Sequence, residues 1–371
     1  MTALAALALA AWLYLVLLHG RFWQAGPVLP TAAPSLAPAV AVVVPARDEA
    51  AVVARAVGSL LRQDYAGTLQ VVLVDDASAD ATAAIAQALP DSERLTVVAG
   101  AARPPGWAGK LWAVHQGVAR TDAPWLLLTD ADIEHDPAHL ATLMAAAERQ
   151  GADMVSEMVA LRCADLAEWA LIPAFVYLFQ LLYPFAWVND GLRATAAAAG
   201  GTVLIRRAAL ERIGGIAAIG GALIDDVALA RAVKRGGRIW LGHSRLARSI
   251  RPYPHVGDIW RMVARSAYVQ LRRSPLLLAG TVLGLGVVFL LPPLAALSGH
   301  GAARWLGLAA WFAMAASFVP TLRRFGLSLA WAPLLPAIAA FYVTATLGSA
   351  FDHHFGRGVT WKARAYAGAA T

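Results

Sequence analysis

Short apolar runs alternate with helical stretches between residues 40 and 150. The apolar runs are rich in valine and leucine, and each ends in a polar turn; in chain order they are 40–44, 69–75, 94–98 and 125–129. The helical stretches are 49–62, 80–89, 110–120 and 137–150. Continuous apolar strands separated by helices are typical of a parallel sheet covered on both faces. The pattern therefore predicts an α/β fold, and in such folds ligands bind at the carboxyl ends of the strands.

An uncharged segment precedes the predicted sheet. Residues 1–20 lack charged side chains, and Arg21 is the first basic residue. A secretory signal peptide has its positive charge before the apolar run. The reversed order here indicates an uncleaved transmembrane anchor whose C-terminal end is cytoplasmic. Residues 21–38, rich in Pro and Ala, are predicted to be a linker.

Three further uncharged runs follow the sheet region, each long enough to cross a bilayer core of about 30 Å. They are 276–298, 305–322 and 325–351. We therefore predict three transmembrane helices within 275–351. The positive-inside rule puts the arginine pairs at 272–273 and 323–324 in the cytoplasm. Three crossings then leave the tail, 352–371, outside, whereas its own basic residues favour the cytoplasm, so the side of the tail stays open.

The segment 169–189 is also uncharged, aromatic and about as long as a membrane span, but it contains Pro173 and Pro184. A true span there would put the later acidic pair, Asp225 and Asp226, on the opposite side of the membrane from the sheet. We therefore predict that residues 166–190 form an interfacial or re-entrant helix pair, with a true span as the alternative.

Composition and charge support a membrane protein. The chain is 59% hydrophobic and 15% charged, whereas globular chains average about 45–50% and about 25%. The net charge of +7 suits an anionic surface, either lipid headgroups or a nucleotide diphosphate. The basic residues are scattered, so no nucleic acid partner is expected. The single cysteine, Cys163, excludes an intrachain disulfide and fits a cytoplasmic catalytic part. Heavy use of Ala, Gly and Arg is typical of a bacterial protein.

Acidic residues follow two of the predicted strands. Asp75 and Asp76 end the second strand, where a carboxylate can accept hydrogen bonds from a ribose or a base, although Asp76 could equally cap the next helix. Asp130 and Asp132 follow the fourth strand. Alternate residues of an extended segment can converge on one hard cation such as Mg²⁺ or Mn²⁺. A turn that caps the next helix is the alternative there.

Two further motifs lie later in the chain. Asp225 and Asp226 precede a predicted helix, where one carboxylate could act as a general base or simply cap the helix. Lys110 ends a Gly-Trp-Ala-Gly-Lys stretch that opens another helix, a plausible phosphate site. That stretch lacks P-loop spacing, and no Gly-x-Gly-x-x-Gly follows the first strand, which argues against an NAD enzyme.

A basic amphipathic helix is predicted over 255–273 and contains Arg261 and Arg265. Such a helix beside a membrane span is usually a membrane-surface element. Binding of a diphosphate by the two arginines is the alternative.

The order of these motifs resembles that of the family 2 glycosyltransferases, whose catalytic domain has the Rossmann-like GT-A fold with a mostly parallel sheet. The resemblance runs from about residue 40 to 273, so the predicted catalytic domain is 39–274. It implies that the first-strand motif and the first acidic pair border the nucleotide, through Pro45, Ala46, Arg47, Glu49, Asp75 and Asp76. It also implies a metal on Asp130 and Asp132, and Asp226 as catalytic base, with Asp225 where Glu is usual.

Several stretches are similar to the hopene-associated glycosyltransferases, membrane proteins found with hopanoid-lipid synthesis. They are Gly-Trp-Ala-Gly-Lys, Leu-Tyr-Pro-Phe at 182–185, Ile-Asp-Asp-Val-Ala-Leu-Ala and Trp-Arg-Met-Val-Ala-Arg-Ser-Ala. The Gln-x-x-Arg-Trp signature of processive polysaccharide synthases is absent, which argues against a polymer-extruding enzyme and leaves the roles of Arg261 and Arg265 open.

The resemblance implies inverting transfer of a sugar from a nucleotide-sugar donor, a UDP-sugar, to a lipid acceptor of hopanoid type. Asp226 would be the base, and Lys110 with Mg²⁺ or Mn²⁺ would offset charge on the leaving diphosphate. The expected location is the bacterial inner membrane, with several spans and a cytoplasmic catalytic domain. Transfer to a polyprenyl phosphate is one alternative, and a non-catalytic membrane scaffold that binds nucleotide or lipid is another. A nucleotidyltransferase is disfavoured, because the first strand lacks a basic phosphate-gripping loop.

Overall fold

The computed structural model describes residues 1–355, 360–361 and 364–365, so most of the predicted tail, 352–371, lies outside the described residues. The chain divides into two compact units. The helical unit comprises Met1–Gly26, Cys163–Ala186 and the described residues of Tyr253–Val359. The sheet unit comprises Pro27–Arg162, Trp187–Pro252 and the described residues of Thr360–Thr371. The domain boundaries expected from the sequence stay predictions.

Within the described residues, eight strands form one sheet and two short strands pair as a second. In chain order the strands are β1 (Val40–Ala46), β2 (Leu69–Asp75), β3 (Leu95–Ala99), β4 (Trp125–Thr129), β5 (Ile133–His135), β6 (Met154–Ala160), β7 (Thr202–Arg206), β8 (Ile239–Ser249), β9 (Thr360–Trp361) and β10 (Arg364–Ala365). The spatial order of the large sheet is β3-β2-β1-β4-β7-β6-β8-β5.

The α-helices surround the sheet or form the helical unit. They are α1 (Thr2–Leu18), α2 (Val53–Leu61), α3 (Thr82–Gln87), α4 (Gly109–Val118), α5 (His139–Gln150), α6 (Leu166–Leu182), α7 (Phe185–Asn189), α8 (Arg207–Arg212), α9 (Asp225–Lys234), α10 (Val256–Ala264), α11 (Ala267–Gln270), α12 (Pro275–Leu285), α13 (Leu291–Ser298), α14 (Ala302–Arg324) and α15 (Leu335–His354).

The first four strands confirm the prediction of a parallel sheet covered on both faces. β2 pairs in parallel with both β1 and β3, and β1 pairs in parallel with β4. All seven residues of β1 are buried. Alternate strand residues point to opposite faces: Val42 and Val44 pack in one cluster with α2 and α5, whereas Val72 and Val74 pack with Ala113 of α4. The apolar runs are continuous because both faces need apolar side chains.

The other half of the sheet is mixed, and the sequence pattern missed it. β7 pairs antiparallel with β4 and β6, β6 is parallel to β8, and β5 is antiparallel to β8. β5 has only three residues, Ile133–His135, two of them polar, so it shows no apolar run. The antiparallel pairing of β4 and β7 matches Thr129 with Thr202, which puts the start of β7 beside the end of β4.

The helical unit contains three helices that are long and apolar enough to cross a membrane, as predicted. They are Pro275–Ser298, Ala302–Arg324 and Leu329–His354. The first comprises α12, a π-helical turn at Gly286–Leu290, and α13. The N-terminal helix α1 is a shorter apolar helix of 17 residues. Its Trp12 indole donates a hydrogen bond to the carbonyl of Val288 at 2.6 Å, inside the helical unit.

The predicted helix pair at 166–190 is two helices in the structure, α6 and α7, separated near Pro184. The residue before a proline is disfavoured in the helical conformation, and Tyr183 accordingly has φ −132° and ψ 73°. Asp165 and Glu168 form a capping box at the start of α6. The Glu168 carboxylate also accepts a hydrogen bond from the Tyr253 N–H at 2.7 Å, which pins α6 to the segment before α10.

Close packing of α4 on β1 predicts opposite effects for two helical Gly→Ala substitutions. A Cβ at Gly117 would lie 2.5 Å from Cγ1 of Val43, whereas a Cβ at Gly58 in α2 would meet only the flexible end of Arg62, at 3.1 Å. Both changes raise helix propensity by about 1 kcal/mol, but overpacking costs about 1–3 kcal/mol. Thermal unfolding in detergent should show a lowered midpoint for Gly117→Ala and an equal or raised midpoint for Gly58→Ala. Equal shifts for the two variants would contradict tight α4–β1 packing.

Candidate active site

A cleft opens in the sheet unit at the carboxyl end of β4. Its lining combines apolar side chains with polar ones that the sequence singled out: Pro45, Lys110, Asp130, Asp225 and Asp226. Parallel pairing puts the ends of β1 and β4 at the same edge, and the antiparallel strand β7 brings Gly200 to that edge from the other side. The structure therefore brings together residues that are up to 181 positions apart by number, in four separate motifs.

Lys110 links two of the acidic motifs. Its Nζ lies 2.9 Å from Oδ1 of Asp130 and 3.0 Å from Oδ2 of Asp225. Burial alone would lower the pKa of Lys110, but the charges of Asp130 and Asp225 raise it above its ordinary value. Lys110 is the second residue of α4, so the Gly-rich stretch before it sets where the ammonium group enters the cleft. The cleft thus holds a permanent positive charge between two carboxylates.

Asp226 is held by backbone N–H groups. Its Oδ2 accepts a hydrogen bond from Gly200 at 2.9 Å, and its Oδ1 accepts one from Val227 at 2.7 Å. Burial raises the pKa of Asp226 to about 7, with the charge of Asp225 adding to the rise and Lys110 opposing it. Asp226 lies in the first turn of α9, and its bond to the Val227 N–H is a contact with the start of its own helix, as the capping alternative expects. A carboxyl group with a pKa near neutral pH is suited to general base catalysis.

Asp130 and Asp132 could hold a divalent metal. Burial raises the pKa of Asp130, Lys110 opposes the rise, and the neighbouring charge of Asp132 adds to it. Each carboxylate has one oxygen with no hydrogen bond among the described residues, namely Oδ2 of Asp130 and Oδ1 of Asp132. Within that part of the chain, no group of three or more His, Cys, Asp or Glu side chains is arranged to hold a metal ion without other ligands. The donor set fits Mg²⁺ or Mn²⁺, since Mg²⁺ is usually bound by one or two carboxylates together with substrate phosphates.

The loops after β1 and β2 form a second group of predicted site residues. Nη1 of Arg47 donates hydrogen bonds to the carbonyls of Asp76 and Ala77, at 2.5 and 3.2 Å. Asp76 is buried and its N–H donates to the carbonyl of Ala46 at 2.8 Å. The carboxylate of Asp75 accepts a hydrogen bond from the Ser78 hydroxyl, a local contact that stabilises the turn after β2. The two loops are therefore cross-linked into one rim beside the cleft.

Glu49 is paired with Arg251, a residue that the sequence pattern did not suggest. Nη2 of Arg251 lies 2.6 and 2.7 Å from the two carboxylate oxygens of Glu49. Nε of the same guanidinium lies 2.6 Å from Oδ2 of Asp132. Arg251 lies two residues after the end of β8 and reaches Asp132 because β8 pairs with β5. A single arginine 119 residues away has no spacing signal by which sequence reasoning could find it.

A buried chain of polar side chains lies beneath the turn that contains Asp130. Glu157 Oε2 is 2.9 Å from Nε2 of His139, and the Nδ1 atoms of His139 and His135 are 2.8 Å apart. Nε2 of His135 is 3.1 Å from the hydroxyl oxygen of Thr129, the last residue of β4. Burial lowers the pKa of His135 well below its ordinary value, and His139 adds to the effect. The two Nδ1 atoms share one hydrogen, so one histidine donates and the other accepts.

Arg261 and Arg265 belong to the helical unit. Arg261 lies in α10 and its Nη2 is 2.5 Å from Oδ1 of Asp258, one turn earlier, while Arg265 directly follows the helix. The structure does not group them with the residues of the sheet unit. Their binding of a diphosphate stays a prediction.

The chain is similar to known proteins. Residues 41–214 match the model of the family described as Glycosyl transferase family 2. The succinoglycan biosynthesis protein ExoO of Rhizobium meliloti (strain 1021) is 31% identical over 144 residues, which are 37% of this chain and 40% of that protein. The chain thus matches less than half the length of this curated relative.

Solved structures are similar to this chain to different degrees. The mannosyltransferase PcManGT from Pyrobaculum calidifontis, in complex with GDP-Man and Mn²⁺, superposes with a TM-score of 0.58 at 22% identity, over 95% of this chain and 99% of that one. TarS of S. aureus (residues 1–349, in complex with UDP-GlcNAc) gives a TM-score of 0.43 at 16% identity, over 86% and 93%. The first of these shows that the fold is GT-A, as the sequence predicts. With the match over residues 41–214, this part of the chain is a glycosyltransferase domain similar to family 2.

Proposed function

We propose that this glycosyltransferase is membrane-bound and inverting, and that it moves a sugar from a nucleotide-sugar donor to a lipid acceptor. The observation behind the proposal is the position of Asp226. Its carboxylate lies in one cleft with Lys110 and Asp130, and burial raises its pKa to about 7. A base that is half-deprotonated near neutral pH can take a proton from an alcohol as that alcohol attacks.

The proposed reaction is a single displacement. The acceptor hydroxyl oxygen attacks the anomeric carbon on the face opposite the diphosphate, and the bond from that carbon to the diphosphate oxygen breaks. Asp226 takes the hydroxyl proton, and the nucleoside diphosphate leaves with the bonding electrons. Lys110, held by Asp130 and Asp225, is placed to offset the charge that develops on the leaving group. A Mg²⁺ or Mn²⁺ ion on Asp130 and Asp132 would supply further positive charge to the diphosphate.

The donor site is proposed at the rim formed by the loops after β1 and β2. Pro45 lines the cleft, and Ala46, Arg47, Asp75 and Asp76 lie in the cross-linked loops next to it. We propose a UDP-sugar as donor. The solved mannosyltransferase with the same fold holds GDP-Man and Mn²⁺, so GDP-mannose is the second donor to test.

A lipid acceptor is proposed from the helical unit. Three of its helices are long and apolar enough to span a bilayer. Large apolar side chains on them are strongly exposed, among them Leu276 (82%), Leu283 (71%) and Phe312 (76%). Exposed apolar surface of this kind indicates contact with lipid. The motif similarity described above favours a hopanoid-type acceptor and the bacterial inner membrane, with the catalytic domain on the cytoplasmic side.

Transfer of labelled sugar tests this proposal directly. Membranes that contain wild type, Asp226→Asn or Asp122→Asn would be incubated with radiolabelled UDP- and GDP-sugars and extracted bacterial lipids. We expect a labelled lipid with wild type and with the exposed-site control Asp122→Asn. Loss of the base should lower the rate by about 10²–10⁴-fold, and EDTA should abolish transfer until Mn²⁺ or Mg²⁺ is restored.

Other outcomes would favour the alternatives. A labelled polyprenyl phosphate with a mild effect of Asp226→Asn would identify an acceptor that is already an anion and needs little general base. Nucleotide binding without turnover of any donor would contradict catalysis and support a scaffold.

The dependence of kcat/KM on pH tests the environment of Asp226. The base acts only when deprotonated, so kcat/KM should fall about tenfold per pH unit below a pKa of about 7 and level off above it. Asp225 raises this pKa and Lys110 lowers it. Asp225→Asn should therefore move the inflection to lower pH, and Lys110→Met should move it to higher pH.

Both variants should also lower the maximal value of kcat/KM. The quantity to compare is therefore the pH of the inflection in each profile and not the height of the profile. Asp122→Asn removes an exposed carboxylate and should leave the inflection in place. Shifts of both cleft variants in the same direction would contradict the assignment of the inflection to Asp226.

A further inference from the structure

We propose that Arg251 is a positioning residue for the metal ligand Asp132, and that Glu49 acts through Arg251 rather than on the nucleotide. The proposal rests on the metal role of Asp132 in the proposed function. It concerns an ion-paired group in the sheet unit that is formed by Glu49, Arg251 and Asp132. We call this group the guanidinium clamp.

The sheet topology creates the clamp. β5 starts directly after Asp132, and its first residue, Ile133, pairs with Ser249, the last residue of β8. The N–H of Ile250 then donates to the Asp132 carbonyl at 2.9 Å. This backbone contact brings the next residue, Arg251, alongside the Asp132 side chain. The pairing of the short strand β5 with β8 therefore positions Arg251 next to Asp132.

The geometry restrains both partners of the arginine. One edge of the planar guanidinium contacts Asp132 through Nε at 2.6 Å, and Nη2 contacts both carboxylate oxygens of Glu49 at 2.6 and 2.7 Å. A planar group held at two separate points cannot rotate, which a lysine ammonium could do. The side chains of Asp132 and Glu49 are only 14% and 9% exposed, so water competes little for these contacts.

The clamp leaves Asp132 able to bind a metal. Arg251 donates to Oδ2 of Asp132, and Oδ1 has no hydrogen bond among the described residues, so Oδ1 stays available for a cation. Two carboxylates and one guanidinium sum to one negative charge, so the clamp as a whole still attracts a cation. Burial alone would lower the pKa of Arg251, but Asp132 and Glu49 raise it, so the guanidinium remains charged.

The contacts of Glu49 favour a role through Arg251 over direct contact with the nucleotide. Both of its carboxylate oxygens accept from Arg251, and its side chain is nearly buried. Partners that orient a metal ligand without touching the metal typically change metal affinity by about 10–100-fold when they are removed. Glu49 should therefore influence the metal, from one residue further away, through Arg251.

Binding of Mn²⁺ to the full-length protein in detergent tests the clamp. Free Mn²⁺ would be measured by electron paramagnetic resonance in the presence of UDP or GDP. Glu49→Gln and Arg251→Met should each weaken Mn²⁺ binding by about tenfold or more, and Arg251→Lys should weaken it less. The double variant Glu49→Gln/Arg251→Met should bind Mn²⁺ no more weakly than Arg251→Met alone. Both changes interrupt the same series of contacts, from Glu49 through Arg251 to Asp132. Nucleotide affinity measured in EDTA should be unchanged by Glu49→Gln.

A matched control lies on the same strand pair. Arg248 pairs with Glu134 across β8 and β5, as Arg251 does with Asp132, but it does not contact Asp132. Arg248→Met should therefore leave Mn²⁺ affinity unchanged. Thermal unfolding of each variant identifies any that fail to fold, and Arg251→Lys keeps a charged side chain at the site if Arg251→Met is one of them.

Three results would overturn the proposal. Glu49→Gln could weaken nucleotide binding in EDTA with no effect on Mn²⁺, which would make Glu49 a nucleotide ligand. Arg251→Met could tighten Mn²⁺ binding, which would make the arginine a competitor. Wild type could bind no Mn²⁺ with either nucleotide. In contrast, wild type that binds Mn²⁺ with the expected variant effects but transfers no sugar would contradict only the proposed function.

Discussion

Repulsion between like charges is the constraint on which the cleft depends. Asp130, Asp225 and Asp226 converge at one edge of the sheet, where burial makes every charge costly. The ammonium group of Lys110 lies 2.9 Å from Asp130 and 3.0 Å from Asp225, so it offsets negative charge at these two side chains. Asp226 accepts hydrogen bonds from two backbone N–H groups, and the net effect of its surroundings still raises its pKa. The ammonium group thus contacts Asp130 and Asp225 directly, whereas Asp226 is held by backbone N–H groups.

The change from parallel to antiparallel strands in the middle of the sheet builds this arrangement. Parallel pairing alone would collect the ends of β1, β2 and β4 at one edge. Because β7 runs antiparallel to β4, its first residues lie at the edge where β4 ends. Gly200, just before β7, can therefore donate its N–H to Asp226. A side chain at position 200 would come within 3.3 Å of the Lys110 ammonium and 3.4 Å of the Asp226 carboxylate. Glycine there keeps the two groups accessible to a ligand.

Contacts from outside the cleft support the turn that carries Asp130 and Asp132. Asp132 is held by Arg251, and Thr129, next to Asp130, ends a buried chain that starts at Glu157. Buried polar groups are stable only when they are hydrogen-bonded, and these networks meet that requirement for His135 and His139. The sheet edge is therefore the part of the site that these hydrogen-bonded side chains support.

Local sequence determined the elements that depend on short-range patterns. Four apolar strands, the helices between them and the three long apolar helices all follow from the periodicity of burial, so they could be predicted to within a few residues. The acidic motifs could be located because parallel strands must end at one edge. Only the tertiary structure decided which carboxylate meets which cation. The pairings of Lys110 with Asp225 and of Arg251 with Glu49 depend on strand order and register, which arise from long-range packing and leave no periodic trace in the chain.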